Sequence, residues 1–165
     1  MHNLNCLILE DSAVQSKIIE RMISSCGWHV QKASSLIEAI EILNNNQFDL
    51  IIADMVLPDS EDCDVIEAIN QKSQSKFIVA MSACDDVNKS SSILFKAKEQ
   101  GASFLLSKPF RIDKIKGILN EIEYRIETGE RLPHVLVVDD SKAVCKICEN
   151  LLTEIGYRVT LSETM

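Results

Sequence analysis

Short apolar runs alternate with amphipathic segments along residues 1–127, and this alternation restricts the possible folds more than any other feature. The runs are CLIL (6–9), a more exposed one at 28–33, LIIAD (50–54), FIVAMS (77–82) and SFLLS (103–107). LIIAD is apolar at successive positions, as expected of a strand that helices cover on both faces. Strands that alternate with helices predict parallel strands joined by right-handed crossovers. The sequence therefore predicts an α/β fold with a doubly wound, five-stranded parallel sheet.

The first predicted helix has clear ends and an apolar stripe. Ser12 precedes it with Gln15 three residues later, which is capping-box spacing, and Gly27 follows it where a left-handed residue is common. The residues predicted to face the core are Val14, Ile18, Ile19, Met22 and Ile23.

Composition and charge exclude several classes of protein. The chain carries a formal net charge of −8 and no block of Lys or Arg, so we expect no nucleic-acid binding by this segment. No apolar run approaches the roughly 20 residues that a membrane-spanning helix needs, so we expect no membrane partner. The N-terminus also lacks the pattern of a secretory signal. Six scattered cysteines fit a reducing compartment, and we expect a cytoplasmic location.

Cys145 and Cys148 form a Cys-x-x-Cys pair, which could indicate a redox or metal site. Cys148 also falls on an apolar stripe with helical spacing, and no second Cys or His pair completes a zinc site. We therefore interpret the pair as part of a helix packing surface.

Polar residues mark the carboxyl ends of four predicted strands. They are Glu10 and Asp11 after the first, Asp54 in the third, Ser82 in the fourth, and Lys108 and Pro109 after the fifth. Ligands of doubly wound sheets bind at this edge, where the winding reverses. Three acids, a hydroxyl and an ammonium group at one edge predict a functional site rather than a set of helix caps.

The chemistry of these groups favours phosphoryl transfer, provided that the first and third strands are neighbours. Three close carboxylates repel one another, and their ionised forms need a cation. Mg²⁺ prefers such oxygen ligands and also accepts phosphate oxygens. A carboxylate can attack phosphorus to form an aspartyl phosphate, while Lys108 and Ser82 can interact with phosphoryl oxygens.

Four motifs, in order, resemble the receiver domain of response regulators in two-component signalling. They are LILEDS (7–12), DLIIADMVLPD (49–59), VAMSA (79–83) and GASFLLSKPF (101–110), and the resemblance covers residues 4 to about 125. It implies the flavodoxin-like strand order 2-1-3-4-5. It also implies a phosphoprotein with Mg²⁺ as cofactor and with a histidine kinase or histidine phosphotransfer protein as partner. Such a domain catalyses its own phosphorylation and dephosphorylation but is not otherwise an enzyme.

The resemblance implies a role for each residue of the predicted site. Asp54 would be the phosphoacceptor, with Lys108 paired to the transferred group and Ser82 as the switch hydroxyl. The implied metal ligands are Glu10, Asp11, Asp54 and the backbone carbonyl of Val56. A cis peptide bond is implied between Lys108 and Pro109.

This chain departs from the family pattern at three places. Leu105 stands where the family often has an aromatic switch residue, and Asp62 stands where a glycine is common. The segment between Ser82 and Gly101 is also longer than usual. These places bear on the surface through which receivers signal, so they leave the output open and the phosphorylation chemistry intact.

Three other interpretations compete with a phosphorylated receiver. A nucleotide enzyme would need a glycine-rich turn after the first strand, where this chain has EDSAVQS. A phosphatase that forms an aspartyl phosphate usually has a second Asp at the position of Val56. The alternative from a different class is a receiver-like interaction module that works without phosphorylation, and the intact set of acids with Ser82 and Lys108 argues against it.

HVLVVDD (134–140) repeats the beginning of the chain at an offset of 129 residues. The matched pairs are Asp11 with Asp140, Ser12 with Ser141, Gly27 with Gly156 and Val30 with Val159. We therefore expect a receiver at 1–127, a linker at 128–133, and the first strand, helix and second strand of a second receiver at 134–165. Asp139 and Asp140 would be the acidic pair of that tandem receiver.

The last helix of the first predicted domain carries a heptad seam. Its members are Ile112, Ile115, Leu119, Ile122 and Ile126. A partial repeat with unpaired strands is not stable alone. We therefore expect a homodimer or intramolecular packing through residues 111–161. An output domain, such as a diguanylate cyclase in one known arrangement, would belong to a longer protein.

Overall fold

The computed structural model describes residues 4–60, 64–75, 77–83, 93, 95–154 and 157–162. Two compact units divide the chain, one spanning Met1–Ile112 and the other Asp113–Met165. Within the described residues, no helix has the length and apolar character needed to cross a membrane. Asp62, residues 84–92 and 94 of the longer segment, and Gly156 lie outside the described residues.

The first unit alternates strands and helices, as the apolar runs predict. Its strands are β1 (Asn5–Leu9), β2 (His29–Ala33), β3 (Leu50–Asp54), β4 (Phe77–Ala83) and β5 (Phe104–Lys108). Its helices are α1 (Ala13–Ser24), α2 (Leu36–Asn45), α3 (Val65–Lys72) and α4, which is described at residues 93 and 95–99. Strand β5 begins and ends one residue later than predicted, so Lys108 is its last residue.

The five strands form one parallel sheet in the order β2-β1-β3-β4-β5, which confirms the predicted fold. Strand β1 pairs on both sides, since Cys6 lies opposite Val30 of β2 and Leu50 of β3. The chain thus passes from β2 over β1 to β3, and the winding reverses between β1 and β3. Glu10 and Asp54 are brought to the same edge of the sheet by this reversal.

The centre of the sheet is buried on both faces. One face of β1 and β3 packs into a cluster with α2 and α3, whose members include Leu7, Leu9, Ile51, Ala53, Ala39, Leu43, Ile66 and Ile69. The alternate positions Ile8 and Ile52 are buried as well. This two-sided burial is what the unbroken apolar run LIIAD predicts, and it holds the ends of β1 and β3 rigidly.

Helix α1 differs from its predicted stripe. Ile19 and Ile23 are buried as predicted, but Val14 is 71% exposed, Ile18 is 47% exposed, and Ser16 is buried instead. The prediction was wrong at Val14 and Ile18 because helical spacing defines parallel rows without showing which row faces the sheet.

The second unit contains a second β-α-β segment. Its elements are α5 (Ile112–Thr128), β6 (His134–Val138), α6 (Lys142–Glu154) and β7 (Arg158–Ser162). Strands β6 and β7 form a parallel two-stranded sheet. Their register is that of β1 and β2 shifted by 129 residues, since Asn5 lies opposite His29 and His134 opposite Arg158.

The helix caps of the two β-α-β segments also correspond. Ser12 Oγ accepts the N–H of Gln15 at the start of α1, and Ser141 Oγ accepts the N–H of Val144 in α6, both at 3.4 Å. Satisfying a free amide in the first turn favours helix formation at each place. The local signals in the sequence therefore produce the same local structure twice.

Helix α5 buries a charged residue along with part of its heptad seam. Ile115, Leu119 and Ile122 are buried, and so is Glu121. The Glu121 carboxylate forms an ion pair with Arg125, one turn later, and lies 3.7 Å from Arg158 Nη1 of β7. The two guanidinium groups compensate a charge that would otherwise be costly to bury.

His134 extends this network along the two-stranded sheet. Its Nδ1 lies 3.1 Å from Arg158 Nη2, and its Nε2 lies 2.7 Å from Thr160 Oγ1. A guanidinium group can only donate, so Nδ1 of a neutral His134 accepts this bond and Nε2 carries the proton.

Candidate functional site

Glu10, Asp54 and Lys108 meet at the carboxyl edge of the large sheet. Glu10 follows β1, Asp54 ends β3 and Lys108 ends β5. The Lys108 ammonium nitrogen lies 2.5 Å from Glu10 Oε2 and 2.5 Å from Asp54 Oδ2. One ammonium group therefore bridges two carboxylates from neighbouring strands.

Burial makes this bridge important for folding. Glu10 and Asp54 are both buried, and only a small part of the Lys108 side chain is exposed. An ionised carboxylate without a partner is expensive to bury, by several kcal/mol. Lys108 thus stabilises the two buried acids.

Backbone amides orient the second oxygen of each buried acid. Asp54 Oδ1 accepts the N–H of Val56 at 2.9 Å, and Glu10 Oε1 accepts the N–H of Ser12 at 3.1 Å. Each carboxylate has a donor on both oxygens, and such charge-assisted bonds are short and directional. The two side chains are therefore held in defined orientations.

The pKa values of Glu10 and Lys108 respond to both burial and charge. Burial raises the pKa of Glu10 above its ordinary value, and the Lys108 ammonium offsets this only in part. Burial alone would lower the pKa of Lys108, but its bonds to Asp54 and Glu10 outweigh that effect and raise it. Lys108 therefore stays protonated at neutral pH.

Asp11 completes a group of three carboxylates. Oxygen atoms of Glu10, Asp11 and Asp54 all lie within 4.8 Å of one another, and Asp11 is exposed while the other two are buried. Among the described residues this is the only group of three side chains with metal-ligand spacing. Its hard oxygen donors, open to solvent on one side, are the set that Mg²⁺ prefers.

Ser82 lies beside the acids but is not bonded to them. It is buried in β4, one residue beyond Met81, which lies opposite Asp54 in the sheet. Its Oγ donates to the carbonyl of Ala83 at 3.4 Å. Within the described chain, no hydrogen bond joins Ser82 to Asp54 or Lys108.

Val56 and Pro109 follow site residues closely in the sequence, and Leu105 lies three residues before Lys108 in β5. Val56 is 58% exposed, and its backbone N–H is the group that contacts Asp54. Leu105 is an exposed residue of β5. The peptide bond between Lys108 and Pro109 is cis.

The acidic pair of the second unit lies in different surroundings. Asp139 Oδ1 accepts the N–H of Ser141 at 2.8 Å, as Glu10 does from Ser12. In the described part of the chain, neither Asp139 nor Asp140 belongs to a group of three metal-ligating side chains.

The cysteines of the second unit are free thiols. Of the pair at 145 and 148, Cys145 is buried and bonds through its sulfur to the carbonyl of Asp139 at 3.6 Å, while Cys148 is half-buried. Helical packing thus involves Cys145 more than Cys148, although the sequence stripe singled out Cys148.

Sequence reasoning missed one residue next to the site. Asp59, in the loop after β3, accepts the backbone N–H groups of Leu36 and Ile37 at the start of α2. The partners are 23 and 22 residues away in the sequence, so no local pattern shows the contact.

Comparison with known proteins agrees with this geometry. The family model described as the response regulator receiver domain matches residues 6–120. The chain belongs to the response regulator receiver domain family. Receiver domains of this family act with histidine kinases or phosphotransfer proteins and bind Mg²⁺ at an acidic pocket.

Individual relatives and solved structures agree with the family. The two-component response regulator ARR2 of Arabidopsis thaliana is 31% identical over 122 residues, which are 73% of this chain and 18% of that protein. A receiver domain protein of Clostridium thermocellum has a TM-score of 0.65 at 22% identity, covering 77% of this chain and 99% of that one.

A response regulator of Burkholderia pseudomallei, described with a phosphorylated aspartic acid, a calcium ion and citrate, has a similar fold. Its TM-score is 0.62 at 17% identity, and the match covers 93% of this chain and 86% of that one. Identities this low show the fold alone. The chain spans about a fifth of the length of the plant relatives that it matches.

Proposed function

We propose that this receiver is a phosphoacceptor switch, in which Asp54 takes a phosphoryl group from a histidine kinase or a histidine phosphotransfer protein. The observation that carries the proposal is the position of Lys108, 2.5 Å from both Asp54 and Glu10, within a group of three carboxylates at the end of β1 and β3. A merely structural pair would not need a third, exposed carboxylate at Asp11.

Glu10, Asp11 and Asp54 would hold Mg²⁺, with the Val56 carbonyl as a further ligand by family resemblance. Their oxygen donors fit the ion, since Mg²⁺ is usually bound through few carboxylates and keeps several waters. When bound, Mg²⁺ neutralises charge on the phosphoryl oxygens.

Transfer follows from the positions of the protein groups. A carboxylate oxygen of Asp54 attacks the phosphorus atom of phosphohistidine, so an O–P bond forms as the P–N bond breaks. The leaving imidazole keeps the electron pair of that bond and takes up a proton. Lys108 then exchanges its contact with Asp54 Oδ2 for one with a phosphoryl oxygen, and the Ser82 hydroxyl turns towards the same group.

The output would pass through the surface of the first unit formed by α4 and β5. Rotation of Ser82 frees space that another side chain can fill, which shifts the balance between two conformations. Leu105, exposed on β5, replaces the usual aromatic side chain at this surface. We therefore expect a smaller displacement here than an aromatic residue would make.

Transfer is tested by exposing the protein to acetyl phosphate and Mg²⁺ and measuring intact mass. The wild type should gain one phosphoryl group, Asp54→Asn should gain none, and the matched control Asp140→Asn should behave as the wild type. Beryllofluoride should bind the wild type and not Asp54→Asn. If the wild type gains no phosphoryl group and does not bind beryllofluoride, the chain is instead an interaction module that works without phosphorylation.

We further propose that residues 134–165 are the beginning of a second receiver, with Asp139 and Asp140 as its acidic pair and residues 128–133 as a linker after a first domain at 1–127. The support is the β-α-β register repeated at an offset of 129 residues. The protein would then be a tandem receiver whose output lies elsewhere in a longer chain.

The cellular setting and assembly are part of the same proposal. The described cysteines Cys6, Cys26, Cys145 and Cys148 are free, which suits a cytoplasmic location. Residues 111–161 would pack within the chain or against a second copy, and sedimentation before and after beryllofluoride addition distinguishes these two arrangements.

A further inference from the structure

The loop after Asp54 is held at both ends, and Val56 lies between the fixed points. At its start the N–H of Met55 donates to the carbonyl of Met81 at 2.9 Å, which continues the pairing of β3 with β4. Leu57 is buried in the core, whereas Val56 is exposed and its N–H donates to Asp54 Oδ1.

The far end of this loop is tied to another element by Asp59. The two oxygens of its carboxylate accept one bond each, from Leu36 N and from Ile37 N, both at 3.0 Å. A carboxylate at the first turn of a helix is favourable because the free N–H groups there carry partial positive charge. Partial burial would raise the pKa of Asp59, but bonds from these two amides and from its own backbone amide outweigh burial and lower the pKa, so the carboxylate is ionised at neutral pH.

Helix α2 already has its own cap, so the Asp59 contact is additional. Ser35 Oγ accepts the N–H of Glu38 at 3.1 Å, and the Ser35 carbonyl accepts the N–H of Ala39 at 3.0 Å. Because Ala39 and Leu43 are buried in the core, α2 offers a rigid point of attachment. Asp59 and Ser35 thus serve the same helix end, but only Asp59 connects it to the loop beside the phosphoacceptor.

We propose that Asp59 is a positioning residue for phosphoryl transfer, which fixes the loop carrying Val56 by fastening it to the start of α2. The inference rests on the proposed function, because its effect on chemistry is exerted through Asp54. Without Asp59 the loop beyond Leu57 loses its attachment to α2. The amide and carbonyl of Val56 then spend less time in the orientation that serves Asp54 and the metal site.

The test compares Asp59→Ala with Ser35→Ala, which weakens the same helix end without touching the loop. Both should lower the melting temperature by similar amounts. In the metal-free protein, Asp59→Ala should shift the Val56 amide resonance and speed its hydrogen exchange, and Ser35→Ala should do neither. With acetyl phosphate, Asp59→Ala should slow phosphorylation and weaken Mg²⁺ binding by about tenfold, the lower end of the range for residues that orient the ligands of a metal site.

Each remaining outcome is decisive. If Asp59→Ala leaves the Val56 amide and Mg²⁺ affinity unchanged, or if Ser35→Ala changes them equally, Asp59 merely caps α2. If Asp59→Ala does not fold, Asp59→Asn, which keeps the shape but loses the charge, takes its place with the same expected direction. If the wild type takes no phosphoryl group, the proposed function fails, while the Val56 amide and Mg²⁺ titration still decide whether Asp59 fixes the loop.

Discussion

The β-α-β segments at 5–33 and 134–162 have the same backbone pairing but very different burial. Leu7 of β1 is 0% exposed, whereas Leu136, its counterpart in β6, is 61% exposed. Strand β1 has neighbours on both sides and helices over both faces, while β6 pairs with β7 alone among the described strands. The comparison shows that local sequence signals build the segment, and that later elements of the domain bury it.

The acidic pairs of the two segments also share their local contacts and differ in their contacts with later elements. Glu10 and Asp139 both follow a strand and accept an amide two residues later. Only Glu10 also meets Asp54 and Lys108, which come from strands later in the first unit. An acidic pair after a strand is therefore the starting point of a receiver site, and the third acid and the lysine complete it.

The largest difference should come from truncating the matched leucines. Leu7→Ala should lower the free energy of unfolding by about 2–5 kcal/mol, because it removes a buried side chain and leaves a cavity. Leu136→Ala should change it by no more than about 0.5 kcal/mol, because Leu136 is largely exposed. Urea unfolding of both variants measures the contrast. A large loss for Leu136→Ala would show that β6 is covered in solution, for example by a second copy.

The fold was predictable because its signals are local or periodic. Apolar runs, capping residues such as Ser12 and the two-sided LIIAD run located every strand of the first sheet to within one or two residues. The strand order came from the family resemblance, since pairing across the sheet depends on contacts that no local pattern records. The prediction that Val14 and Ile18 of α1 face the core was wrong for the same reason. Which side of a helix is buried depends on the elements that pack against it.

The next largest difference should be between Asp11 and Asp140, the exposed members of the two acidic pairs, in stabilisation by Mg²⁺. At Mg²⁺ concentrations near 100 times the dissociation constant, the wild type should gain about 2.7 kcal/mol of stability. Asp11→Asn should abolish this gain, and it should raise stability in EDTA because it relieves repulsion from Glu10 and Asp54. Asp140→Asn should retain the full gain. Thermal unfolding with and without Mg²⁺ measures both effects, and an equal loss in the two variants would contradict an ion site confined to the first unit.

The pH dependence of stability should distinguish Glu10 from Asp139, the first acid of each pair. In the metal-free protein the pKa of Glu10 lies above its ordinary value of 4.5. At pH values between 4.5 and the raised pKa of the folded state, Glu10 keeps a proton in the folded protein that it has lost in the unfolded chain. The free energy of unfolding therefore falls as pH rises through this range. Glu10→Gln should remove that fall, and Asp139→Asn should leave it in place. Urea unfolding across this range in EDTA provides the measurement, and an unchanged slope in Glu10→Gln would assign the fall to another group.

The main residues of the site were predictable because they end strands. Glu10, Asp11, Asp54 and Lys108 were singled out by position and chemical type, and the structure brings them together. The bridging role of Lys108 in the metal-free protein was not foreseen, since it depends on the length of a side chain that reaches past β4. Asp59 was missed because its partners lie on a different element.

The two helix caps should differ least, because each cap depends only on contacts within its own first helical turn. Ser12→Ala and Ser141→Ala each remove an acceptor that lies 3.4 Å from an amide of the first helical turn. Each should destabilise its own helix by about 1 kcal/mol. Hydrogen exchange resolved along α1 and α6 measures the two losses separately. Equal losses would mean that a cap contributes the same whether its strand is buried or exposed. A much smaller loss in α6 would mean that the second segment is already open, so that its local structure also depends on elements that complete the domain.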